Sequence, residues 1–178
     1  MQSPAPTTKQ EERRPAAILA IYSWDMVLAL LALLGALAAF GGQATVGSRT
    51  VSVSLGEQVL AAVASASFAG LLIILATLLT RRRRWVRRAQ MATLVTAIAL
   101  GALSLLAGAL VPGQGLQPSA LTAVLVLVVD AAALLALTGE RVIAWYDSSE
   151  GRTPRYLSGT LVFWAASSVV LVILQALR

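Results

Sequence analysis

Five apolar stretches divide this chain, and each is long enough to cross a bilayer, which takes about 20 residues in a helix. They run over about 16–40, 55–80, 89–111, 118–138 and 156–177. Charged residues make up 12% of the chain, against about 25% in a soluble domain. A chain so poor in charge has too little polar surface to stay in solution. The expected fold is all-α, a bundle of five transmembrane helices with a short interfacial helix between spans four and five. The expected organisation is a polar tail over 1–15 and one helical domain over 16–178.

The segments between the spans set the direction in which the chain threads. Arg81-Arg82-Arg83-Arg84-Trp85-Val86-Arg87-Arg88 holds six of the fourteen basic residues and separates spans two and three. Positive charge is retained on the cytoplasmic side. With the N-terminus inside, the inner segments carry twelve basic residues and the outer ones only Arg49 and Arg178. Tyr22, Trp24, Trp85, Trp145, Tyr146, Tyr156 and Trp164 all fall on or towards that inner side. The chain reads as a multi-pass protein of the cell (inner) membrane, N-terminus cytoplasmic and C-terminus external. As ligands, the six arginines suit anionic lipids, at about 1 kcal/mol each near a charged surface, or an acidic protein partner. Nucleic acid is not an expected partner.

Local signals fill in the connections. Met1–Arg14 offers no apolar face and is expected to order only on a partner. Pro15 suits a first helical turn. A signal peptide cleaved near Ala36-Leu37-Ala38 is the rival reading of span one, whose apolar region is longer than such a peptide needs. Val51, Val53 and Leu55 alternate with serines, which suggests a short extended or hairpin piece. Ser54-Leu55-Gly56-Glu57 fits a capping box. Pro112-Gly113-Gln114-Gly115 marks a tight turn. Gly139–Gly151 mixes Val142, Ile143, Trp145 and Tyr146 with charges and suits a helix lying in the headgroup region. Thr153-Pro154 reads as a cap followed by proline at the first helical position.

The chain has no Cys and no His. Disulfides, thiolate and imidazole metal ligands, His-ligated haem and His-based catalysis are therefore ruled out. No nucleophile–base pair or metal constellation is spaced for chemistry, so no enzyme, catalytic residue, metal or cofactor is expected.

Two acids, Asp25 and Asp130, lie inside spans, where a charge costs roughly 2.5–3.5 kcal/mol on insertion scales. Counting residues at 1.5 Å each puts both roughly 12–14 Å below the inner interface, with Trp164 at a similar depth. These three form the candidate intramembrane site. The acids could make structural contacts to Ser23, Ser167 or Ser168, receive Arg81 or Arg82, bind transported protons, or meet a partner. Small residues recur at four-residue spacing: Gly35 and Ala39; Ala62, Ala66 and Gly70; Ala97 and Gly101; Ser104 and Gly108. Such spacing lets helix backbones approach closely, within the chain or between subunits.

The Arg14-Pro15 entry, the Arg-Arg-Trp-Val-Arg-Arg-Ala-Gln turn, and an acid-bearing fourth span running into Glu140-Arg141-Val142 and Tyr146 resemble a broad group of uncharacterised bacterial four-span membrane proteins. The resemblance covers about residues 14–147; the fifth span departs from it. The group implies no activity. The expected function is that of a small non-enzymatic integral membrane protein, an accessory or structural subunit that packs against a membrane-protein partner or itself. The alternative is a small transporter or channel using Asp25 and Asp130.

Overall fold

A computed structural model describes residues 15–46, 49–81, 83–109, 118–146 and 154–177. Pro15 stands at the N-cap of α1 (Ala16–Ala38), with its carbonyl accepting from Ile18 N at 3.0 Å. A 3-10 turn over Ala39–Gly41 ends the helix, and Gly42 reverses the chain at φ +70°, a left-handed value that glycine tolerates best. The antiparallel strands β1 (Gln43–Val46) and β2 (Arg49–Ser52) follow, in register Gln43↔Ser52 to Val46↔Arg49. They form the hairpin that the alternating valines suggest.

The capping box at Ser54 and Glu57 is present and opens α2 (Leu55–Leu79). Next come α3 (Arg84–Ala109), α4 (Pro118–Leu137), the short α5 (Glu140–Tyr146) and α6 (Arg155–Ala176). The five longer helices, with α1 counted through its 3-10 turn, are long and apolar enough to cross a membrane. α2 lies against α1 and α6, α3 against α4 and α6, and α4 reaches α1.

Two sequence expectations are corrected. The third helix begins within the arginine cluster at Arg84 rather than near Ala89. Trp85, Val86, Gln90, Thr93 and Leu94 are buried on one helical stripe, so the apolar anchors draw the helix start into the charged run. The connection itself is left with Thr80, Arg81, Arg82 and Arg83, of which Arg82 lies outside the described residues. Pro154 is the N-cap of α6, with extended ψ of 135°, not its first helical residue. At the cap its fixed φ fits and its missing N–H costs nothing. The helix after span four ends its described course at Tyr146, and its Val142 and Tyr146, one turn apart, are buried in the core. The N-terminal tail, the Pro112–Gly115 turn, Thr153 and 147–151 lie outside the described residues.

The small-residue positions divide. A Cβ on Gly101 would lie 2.8 Å from Leu127 Cδ2, so α3 and α4 meet closely there. A Cβ on Gly35 would lie 4.0 Å from Ser65 Oγ, whereas Gly70 and Gly108 have open space beside them and Ala66 is exposed. Inside the chain α2 instead buries Ala62, Ala64, Ala69 and Ala76.

Candidate functional site

Trp24 and Asp25 are adjacent on α1 and reach two different neighbours. Asp25 is fully buried, and the side-chain amide of Gln90 on α3 donates to both of its carboxyl oxygens, each at 2.9 Å. Trp24 Nε1 donates to Asp130 Oδ1 on α4 at 2.7 Å, and Asp130 is 2% exposed. Among the described residues neither has a basic partner; each is held by a neutral donor from another helix. Gln90 Oε1 is buried and meets no donor among the described residues.

Trp164 lies elsewhere than expected from depth alone. It is buried, but its ring stacks on Phe68 of α2, with centroids 4.1 Å apart and planes 10° from parallel. Phe68 and Trp24 both pack on the small cluster of Leu28, Ala29, Ala69 and Leu72. Trp164 thus joins α6 to α2. Ser23, a possible hydrogen-bond partner of the acids from sequence, bonds the carbonyl of Leu19 instead, and Arg81 is exposed.

A second layer of polar contacts closes the ends of two helices. The last carbonyls of a helix have no partner within it. Tyr146 Oη donates to the carbonyl of Leu79 at the end of α2, at 2.7 Å. Arg87 Nε donates to the carbonyl of Leu137 at the end of α4, at 2.8 Å. Burial pushes the Tyr146 phenol up to about 12, against the opposing effect of the nearby Arg87 charge. Arg87, grouped by sequence with the lipid- or partner-binding arginines, is therefore half-buried and holds a helix end, while Arg81, Arg83, Arg84 and Arg88 are exposed.

Gln90, Trp24 and Tyr146 are site residues that the sequence reading did not single out. Gln90 carried a signal: it lies four residues after Val86 and five after Trp85, on the stripe facing inward. Trp24 is next to one of the acids. Chemically the cluster can bind helices together and can accept a proton or a small polar group. Among the described residues no group of three His, Cys, Asp or Glu could hold a metal ion. No family model, curated protein or solved structure matches the chain.

Proposed function

We propose that the chain is a multi-pass protein of the cell (inner) membrane with a structural role, an accessory subunit or self-associating component without enzymatic activity. The observation that carries this reading is the fate of the two buried acids. Both are used as bridges between helices, with Gln90 and Trp24 as neutral donors. Buried polar residues that bridge helices in lipid act as attachment points, at about 0.6–2 kcal/mol each. The five apolar helices and the twelve-to-two split of basic residues support an N-terminus in the cytoplasm and a C-terminus outside.

The experiment is substitution of both acids, Asp25→Asn with Asp130→Asn, compared with leucine at both positions. Asparagine keeps an acceptor oxygen for each donor, so the structural reading expects the asparagine variant to fold and assemble like the parent, and the leucine variant to lose stability. The protein is then reconstituted in liposomes holding a pH-sensitive dye. Proton flux present in the parent and abolished by asparagine would replace the structural reading with that of a transporter. One observation favours this second reading: Gln90 Oε1 has no donor among the described residues, and a carboxyl proton on Asp25 would supply one.

Orientation has its own test. Cysteine at Gly47 or Gln114 should react with an impermeant thiol reagent added outside intact cells, and cysteine at Ser149 should not. Labelling at Ser149 would reverse the topology. A membrane-protein partner should co-purify in mild detergent, and its loss on deletion of residues 2–12 would assign the docking role to the polar tail.

A further inference from the structure

Between α2, α3 and α6 the chain leaves a cleft of about 230 Å³. Its chemistry is graded from one end to the other. Arg88, in the second turn of α3, and Ser158, in the first turn of α6, line one end. Ala92 and Leu161 lie one turn further along each helix, with Leu71 and Leu157 beside them. Leu71 and Leu157 are buried and make the floor; Ala92, Ser158 and Arg88 are exposed and make the rim. The cleft therefore opens sideways, away from the bundle interior. Arg84 and Arg155, the first residues of α3 and α6, are exposed and stand one turn before Arg88 and Ser158. Arg88 is the one arginine among the residues that line the cleft.

We infer that this cleft binds one acyl chain of an anionic phospholipid, with the lipid phosphate on Arg88. The inference rests on the membrane reading of the chain. Its volume is below the roughly 300–1,000 Å³ of pockets that enclose whole small molecules, which suits a narrow stretch of one chain. Its polar end lies at the N-terminal ends of both helices, where the charge distribution places the inner surface and its anionic headgroups. A basic residue at the mouth of an apolar slot between helices matches both parts of such a lipid at once.

The test uses the full chain purified in mild detergent and native mass spectrometry, with dioleoyl phosphatidylglycerol, dioleoyl phosphatidylcholine or glycerol 3-phosphate added. Phosphatidylglycerol should stay bound about fivefold more tightly than phosphatidylcholine, whose phosphate charge is offset by its own choline, because one basic residue near a net anionic headgroup contributes about 1 kcal/mol. Arg88→Gln should remove that preference, Arg88→Lys should keep it, and Arg81→Gln, outside the cleft, should change nothing. Ala92→Leu, which fills the cleft from an exposed position, should weaken both lipids. Unchanged phosphatidylglycerol binding in Arg88→Gln would overturn the assignment, as would unchanged binding of both lipids in Ala92→Leu. Glycerol 3-phosphate binding as tightly as the lipid would make the site one for a free phosphate and would also overturn it. Failure of the membrane reading would show separately, as release of the protein from membranes washed with alkaline carbonate.

Discussion

The half of the bundle that holds the N-terminal ends of α1, α3 and α6 is built differently from the other half. In α3 every buried residue, from Trp85 to Leu94, lies in the first half of the helix. In α4 the buried residues are Asp130, Ala133 and Leu137, near its C-terminal end, while Leu121, Val124, Leu125 and Val128 are exposed. α6 buries Leu157, Trp164 and Ser167 and then exposes Val170 and Ile173. α1 buries Ile18 to Ala29 at intervals and then exposes Leu30, Leu33, Leu34 and Leu37. The five long-range side-chain bonds described above, two from Gln90 and one each from Trp24, Tyr146 and Arg87, all fall in the first half. Between helices in lipid there is no hydrophobic force, so packing and hydrogen bonds must hold them. The half that holds these bonds is closed, and the other half is open and presents alkyl side chains outward.

The strongest way to break this contrast is to remove a donor from the closed half. Gln90→Leu leaves the Asp25 carboxyl buried without its partner and should cost about 1–3 kcal/mol, read as a lower unfolding midpoint in detergent. Adding Asp25→Leu should recover part of that loss, because both polar groups then leave together.

Tyr146→Phe should cost about 1 kcal/mol by leaving the Leu79 carbonyl without its donor. It also carries a pH signature. The phenol of Tyr146 sits at about 12 in the folded chain, above the value near 10 of an exposed tyrosine. The unfolded chain therefore releases this proton first as pH rises. Its contribution is complete below about pH 10 and is lost between about 10 and 12. An unfolding midpoint measured across that range should fall in the parent and fall less in Tyr146→Phe.

A smaller effect sharpens the contrast along α3. Gly108→Ala has room for its methyl group and should gain about 0.5–1 kcal/mol from helix propensity. Gly101→Ala should show no such gain, because the new carbon would push on Leu127. The smallest effect belongs to the open half. Leu106 is 63% exposed, and Leu106→Ala should stay within about 0.5 kcal/mol of the parent in thermal melts.

The spans were legible because hydropathy reports what each segment must bury, and five such segments left little choice. The start of α3 was not, because four arginines masked the inward stripe of Trp85, Val86 and Gln90. Depth counting put Asp25, Asp130 and Trp164 at one level, and two of the three do face each other's surroundings. It could not say which way each side chain points around its helix. That angle sends Trp164 to Phe68 and gives Asp130 to Trp24. Residue spacing along one helix carries no such information about its neighbour, and the same gap hid Tyr146, which reaches back 67 residues to Leu79.

The bridge between Asp25 and Gln90 joins residues 65 apart, and that between Trp24 and Asp130 joins residues 106 apart. A ribosome adding about 5–20 residues per second delivers Gln90 roughly 3–13 s after Asp25, and Asp130 roughly 5–21 s after Trp24. For those seconds α1 has an acid but no donor for it. If the chain is inserted in a membrane as proposed above, α1 enters it with a buried acid whose partners have not yet been made, and the emergence of α3 and then α4 supplies them.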